Sequence, residues 1–431
     1  MTIERGSSVS HIGMVLPNLD GGGAERAMLA LAASLIGRGC RVDLVLMRLK
    51  GRYKTTIPDG VRLYHQRLGR PDRALAAHCC ERGIDARVLA SGPLGTLRAW
   101  YLLRRRFPEI EIRLSHARAA HGVARYVREA KPRLLLSALP FANDASALGV
   151  ALAGHSVPLV VSLRNNVGTS YSERGKAAAR VLTPVADAVV AVSRGVAADA
   201  IETLGLDERS VHTIYNPKPL ADIRRLAEEE AAHPWFEDSA PPVILTALKE
   251  GPQKDPATLV AAFRHVRDEM PARLAILGNL SDEYRAETMA LAESFAVEKD
   301  VAFLGFDENP FRYMRRAGLF VLSSRYEGLP NVLIEAMACG TPVVSTDAPY
   351  GPAEILEDGR WGRLSPVGDA PALAAAMVDT LKGKTIAAEA LRRRAHDFSA
   401  DRAAAAYEAL FASLIDRQPH ASAQARASKR G

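Results

Sequence analysis

The chain has 431 residues, 48% hydrophobic and 24% charged, a globular composition that excludes a disordered or fibrous protein. That length exceeds one ordinary hydrophobic core and predicts two domains. The net charge of +7 conceals a split: residues 1–218 carry 31 Lys and Arg against 18 Asp and Glu, net +13, and residues 219–431 carry 25 against 31, net −6.

The N-terminus, MTIERGSSVS, has no apolar core behind its charges, so no secretory signal is read there. The most apolar long stretch, Leu134 to Leu163, is interrupted by Pro140, Asn143, Asp144 and His155, whereas a membrane span needs roughly 20 apolar residues. Four cysteines, Cys40, Cys79, Cys80 and Cys339, follow neither a zinc spacing nor a disulfide framework. A cytoplasmic protein is expected.

The first predicted element is His11–Leu16, an apolar run suited to a buried strand. A loop through Gly21, Gly22 and Gly23 follows, and from Ala24 the apolar positions Met28, Leu31, Ala32, Leu35 and Ile36 make one helical stripe. Val42–Leu46 is the next strand, so strand, Gly-rich loop, helix and strand form a βαβ unit of a parallel sheet. The glycines permit positive φ and close backbone approach, so that Gly22 and Gly23 could turn N–H groups toward a phosphate. Taken alone, a Gly-rich turn before a helix is a weak signal, and plain turn chemistry is its commoner reading.

Between Leu94 and Arg133 the chain has 10 basic and 3 acidic residues, including Trp100-Tyr-Leu-Leu-Arg104-Arg105-Arg106-Phe107. Two readings are open: a helix resting on an anionic membrane surface through Trp100, Arg104, Arg105 and Arg106, or a solvated basic face. No nucleic-acid motif accompanies the charge. Further strands are expected at Arg133–Leu139, Leu159–Leu163, Ala188–Ser193 and Val211–Tyr215, while 51–132 is too irregular to assign.

After Asn216-Pro217-Lys218-Pro219 comes a charged helix, Ala221–Glu230, and a proline-punctuated linker. A second series of strands then begins: Val243–Leu248, Arg273–Gly278, Val301–Phe306, Leu319–Ser324 and Pro342–Thr346. The domains are therefore placed at 1–218 and 219–398. A terminal helix over 399–417 carries the stripe Tyr407, Leu410, Phe411, Leu414 and Ile415, and a polar tail over 418–431 is expected to be disordered. Two doubly wound sheets bind ligands beyond the carboxyl ends of their strands, so a cleft between the domains is the expected site.

The most informative stretch is Ser323–Asp347, SSRYEGLPNVLIEAMACGTPVVSTD, a strand-to-helix corner with Glu327 and Glu335 eight positions apart. Gly328 and Pro330 put Glu327 in the loop, with Glu335 about one turn into the helix and the amides of Asn331 and Val332 between them. Helix starts attract phosphates, and ionised carboxylates accept hydrogen bonds from hydroxyls. A ligand with both groups is a nucleotide sugar. Lys249 and Lys254, in the loop after the strand Val243–Leu248, are placed to meet a pyrophosphate, although loop lysines are commonly only solvated.

Taken together, EGLPNVLIEAMACGTPVV resembles the E-x7-E signature of the retaining glycosyltransferases of family four. GGAER at Gly22–Arg26, VSRG at Val192–Gly195, IYNP at Ile214–Pro217, QKD at Gln253–Asp255 and GPAEILEDGRWGRL at Gly351–Leu364 fall in that family's order. The resemblance implies a GT-B fold of two Rossmann-like domains, the first on the acceptor side and the second holding the donor, with the terminal helix packing back on the first. It implies a metal-independent enzyme without cofactor that moves a hexose or N-acetylhexosamine, from UDP by preference, to an acceptor hydroxyl with retention. By the same carry-over Glu327 contacts the transferred sugar, Glu335 the ribose, Lys254 and Lys249 the pyrophosphate, and Gly22–Gly23 the phosphate side.

This chain departs from the family pattern at two places. Leu248-Lys249-Glu250 stands where many members have Gly-Arg-Leu, which keeps the charge and loses bidentate geometry. Arg164-Asn165-Asn166 stands where many have a histidine, so an acceptor or sugar contact transfers to Arg164. A lipid-linked or cell-envelope acceptor, with peripheral attachment to the inner membrane face, is the expected setting. The alternative is a non-catalytic nucleotide-sugar binder or scaffold subunit. A glycosidase would need its two carboxylates ~5–10 Å apart across a sugar, and the phosphate-binding context favours transfer.

Overall fold

The computed structural model describes residues 11–20, 22–51, 57–66, 79, 81–82, 84, 86–89, 91–237, 241–383 and 386–417. Gly21, Cys80 and the tail 418–431, for which disorder was expected, lie outside the described residues. The chain divides into two compact units, one of 1–192, 196–217 and 400–431 and one of 193–195 and 218–399.

The first unit is built on β1 (His11–Leu16), β2 (Arg41–Leu46), β3 (Arg62–His65), β4 (Ala86–Val88), β5 (Leu134–Ala138), β6 (Leu159–Leu163), β7 (Ala188–Ala191) and β8 (Val211–Thr213). They form one sheet in the order β4-β3-β2-β1-β5-β6-β7-β8, and every neighbouring pair is parallel. Central strands such as β1 and β5 are buried along their whole length, which is why they read as unbroken apolar runs. β3 and β4 fall in the interval left unassigned. β4 is a three-residue edge strand with every residue exposed, so no apolar pattern marks it.

The helix Gly23–Gly37 packs its Met28, Leu31 and Leu35 into the same core as Tyr407, Phe411 and Leu414 of the terminal helix Ala400–Arg417. Arg38 Nε donates to Glu408 Oε2 at 2.5 Å on the rim of that contact.

Deeper in this unit a polar cluster is fully enclosed. Asp43 of β2 is 0% exposed, and its Oδ2 accepts from Tyr126 Oη at 2.9 Å and meets His11 Nε2 at 2.7 Å. Burial by itself would push the Asp43 carboxyl up; the hydrogen bond and charge of His11, the Tyr126 hydroxyl and the Arg41 charge outweigh it and hold the group below its ordinary 3.8. Gly13 makes room for Tyr126, since a Cβ there would lie 2.6 Å from its ring.

The second unit has β9 (Val243–Ala247), β10 (Arg273–Leu277), β11 (Val301–Gly305), β12 (Leu319–Leu322), β13 (Val343–Thr346) and β14 (Arg363–Ser365) in the order β11-β10-β9-β12-β13-β14, again all parallel. The helices Pro256–Glu269 and Ala370–Leu381 close its core through Phe263, Val266, Leu373 and Met377. In each sheet the winding direction reverses beside the first strand, at β1/β5 and at β9/β12. Loops that leave the carboxyl ends of those strands diverge and open a ligand crevice.

Candidate functional site

β9 and β12 are neighbours, so the loops that follow them meet. Four hydrogen bonds zip them together: Ser323 Oγ to the Lys254 carbonyl at 2.7 Å, Arg325 N to the Gln253 carbonyl at 2.8 Å, Gln253 Nε2 to the Tyr326 carbonyl at 2.9 Å, and Arg325 Nε to Asp255 Oδ2 at 3.0 Å. Asp255 also caps the helix Pro256–Glu269 by accepting from Thr258 N at 3.3 Å. This brings Lys254 beside Glu327.

Glu327 Oε1 accepts from Lys254 Nζ at 2.5 Å and from Ser324 Oγ at 2.7 Å. The backbone of Glu327 is clamped as well, its N–H donating to the Pro349 carbonyl and its carbonyl accepting from Tyr350 N, both at 2.8 Å. Gly328 and Pro330 then break the chain direction, and the helix Asn331–Cys339 begins without a side-chain cap from Pro330. Its first amides, those of Asn331 and Val332, are the groups a phosphate would meet. Ser193, which belongs to this unit, donates through Oγ to the Gly328 carbonyl at 2.8 Å and braces the turn.

Glu335, the fifth residue of that helix, is buried, and its Oε1 accepts from Lys218 Nζ at 2.7 Å. Burial and then the Glu335 charge push the neighbouring Cys339 thiol up to about 12. Each of the two glutamates is thus fixed through one oxygen by a lysine. Lys249 is exposed, two residues past the end of β9. Lys218 and Ser324 were missed from the sequence, although both stand next to motifs that were noticed: Lys218 follows IYNP and Ser324 precedes Glu327 by three positions.

The positions expected in the first unit are placed differently. Gly22 caps the helix Gly23–Gly37 with φ −95° and ψ 163°, so the positive φ anticipated for the glycine loop is not used there. What Gly22 provides is space, since a Cβ would sit 2.4 Å from Glu25 Oε2. Gly23 is the first helical residue. Arg164 is only 7% exposed; its Nη1 donates to Asn216 Oδ1 and its Nη2 lies against Met28 Sδ. Burial pulls its guanidinium down, against the charges of Tyr407 and Glu25. The geometry is that of an internal brace between the strand ends and the first helix.

A residue not singled out from the sequence lies by the β1/β5 reversal. Asp144 is in the first turns of the helix Pro140–Leu152, which follows β5, and burial pushes its carboxyl up to about 7. Burial of this kind leaves no mark in a sequence.

The basic segment forms the helix Pro93–Arg106. Trp100 turns inward and donates through Nε1 to the Ile112 carbonyl at 2.8 Å, with Arg104 4.7 Å from the ring centroid. The outward residues are Leu94 at 84% exposure, Leu97, Tyr101 at 56% and Leu102, joined by Leu114 of the next helix. Among the described residues no helix is long and apolar enough to cross a membrane.

Two doubly wound parallel sheets, each reversing beside its first strand, are the two Rossmann-like halves of a GT-B fold. A family model described as group 1 glycosyl transferases matches residues 241–383, and one described as glycosyltransferase family 4 matches residues 73–220. The chain belongs to these glycosyltransferases. It is 30% identical over 209 residues to the N-acetylgalactosamine-N,N'-diacetylbacillosaminyl-diphospho-undecaprenol 4-alpha-N-acetylgalactosaminyltransferase of Campylobacter jejuni, covering 48% of this chain and 54% of the relative. It is 24% identical over 265 residues to the lipopolysaccharide 1,6-galactosyltransferase of Escherichia coli, covering 59% of this chain and 67% of the relative. The aligned stretches thus span about half to two thirds of these relatives. The fold is shared with Anabaena HepE, solved in complex with UDP and glucose, at a TM-score of 0.68, 20% identity, and coverage of 94% of this chain and 99% of that one.

Proposed function

We propose that the protein transfers a hexose or N-acetylhexosamine from a nucleotide diphosphate sugar, UDP in the first place, to an acceptor hydroxyl with retention. One observation carries the reading: the start of the helix Asn331–Cys339, to which Pro330 gives no side-chain cap, lies between two carboxylates, each held through one oxygen by a lysine. The helix amides and Lys254, which has donors beyond the one given to Glu327, receive the diphosphate, with Lys249 next to it. The free oxygen of Glu335 accepts from the ribose and that of Glu327 from the transferred sugar.

In the transfer the bond from the anomeric carbon to the phosphate oxygen breaks and one to the acceptor oxygen forms on the same face. The acceptor proton passes to the departing diphosphate, whose charge the amides and lysines stabilise, so that the reading calls for no metal and no cofactor. Gly22 and Gly23 are assigned to the phosphate side. Support for a UDP donor comes from the ligands of HepE, and for a lipid-linked or envelope glycan acceptor from the diphospho-undecaprenol and lipopolysaccharide in the names of the two relatives.

The test is incubation with UDP-, GDP- and ADP-sugars and lipid-linked or glycan acceptors. Transfer from a UDP-sugar is expected. Binding without hydrolysis or transfer would instead support the non-catalytic binder, and binding of none would overturn the site.

Peripheral attachment to the cytoplasmic face of a membrane forms part of the proposal. Leu94, Leu97 and Tyr101 share one face of a helix that ends in Arg104, Arg105 and Arg106, and acidic headgroups complement those charges. Vesicles containing anionic lipid should retain the protein at low salt, and replacing the three arginines by Gln should reduce retention several-fold. Equal retention of both proteins, or none, would remove the membrane from the reading.

A further inference from the structure

The structure assigns Lys218 as a positioning residue: we infer that it holds one oxygen of Glu335 so that the other faces the ribose hydroxyls of the donor nucleotide. The inference rests on the reading of Glu335 given above and adds a residue outside every motif noticed in the sequence.

The Lys218 side chain is 3% exposed and that of Glu335 7%, with 2.7 Å between Nζ and Oε1. Lysine is almost never buried so deeply unless paired, and the pair is a poor device for stability, because well-packed apolar residues in its place are often equally stable or better. Its value lies in orientation. The backbone of Lys218 is fixed on both sides: its N–H donates to the Phe398 carbonyl at 3.0 Å, its carbonyl accepts from Leu220 N at 2.9 Å, and it forms a parallel bridge with Ser399. An ammonium anchored in this way sets the rotamer of a carboxylate that would otherwise be free to turn on its helix. With Oε1 taken, Oε2 is left to accept from a vicinal pair of hydroxyls.

The experiment compares binding of UDP and 2′-deoxy-UDP by calorimetry to the full-length protein and to Lys218→Met and Lys218→Arg. Wild type should prefer UDP by about tenfold, the scale of a hydrogen bond to a charged acceptor. Lys218→Met should lose most of that preference by weakening UDP binding while leaving 2′-deoxy-UDP within about twofold, and Lys218→Arg should restore part of it. A folded Lys218→Met that keeps the wild-type preference overturns the inference. So does one that loses affinity for both nucleotides alike, the signature of a merely structural role. A wild type that does not distinguish the nucleotides overturns the ribose reading of Glu335 itself. Should Lys218→Met fail to fold, Lys218→Gln, which keeps a donor of shorter reach, carries the same comparison.

Discussion

Glu327→Gln will retain the fold and lose transfer, with kcat/KM reduced by about 10³-fold or more, ~4 kcal/mol of transition-state stabilisation. The amide oxygen can still accept from Lys254 and Ser324, so the clamp on the loop persists, while the oxygen proposed for the sugar becomes an NH₂ donor. Glu327→Ala should be at least as inactive. It leaves Lys254 without its carboxylate, but that side chain retains 15% exposure and can turn toward water. Steady-state transfer assays with circular dichroism on both variants decide the matter: near-normal turnover by either folded protein would remove Glu327 from the site.

The largest effect on stability is expected at Asp43. Asp43→Ala strands the Tyr126 hydroxyl and His11 inside the first unit and should cost about 3–5 kcal/mol, lowering the melting transition of that unit by about 10 °C. Because the folded state holds the Asp43 carboxyl below 3.8, its contribution is present above that pH and is lost as pH falls through the folded value. The gap between wild type and variant, read by calorimetry, should therefore narrow as pH falls below about 4. A gap of under about 1 kcal/mol at pH 7 would show that the cluster does not hold the sheet together.

Much of this architecture was legible because buried parallel strands announce themselves. β1, β5, β6, β9 and β12 are apolar runs bounded by glycine, proline or polar residues, and the helix between β1 and β2 carries a clean stripe. The short edge strands β4 and β14 were not legible, being three residues each, β4 exposed throughout and β14 buried only at Ser365. For the candidate site, spacing and turn residues put Glu327 in a loop and Glu335 in a helix, as the structure has them. Partners across long separations were out of reach: Lys218 and Glu335 are 117 positions apart, and Asp43 and Tyr126 are 83. Arg164 and Trp100 show the related difficulty, since charge and aromaticity suggest an outward role that only three-dimensional packing can assign inward.

The pairing of both glutamates with lysines has an electrical consequence. Two cations and two anions cancel before any donor arrives, and three of the four, Lys254, Glu327 and Glu335, lie in the stretch 219–431 whose net charge is −6. Long-range attraction of a polyanion toward this site is therefore weak, in contrast to sites that concentrate anions with an excess of positive charge. Capture is left to directed contacts at short range, and these depend on the arrangement of hydroxyls as much as on phosphate. A free pyrophosphate, which carries the charge and lacks the hydroxyls, meets only part of what the site offers.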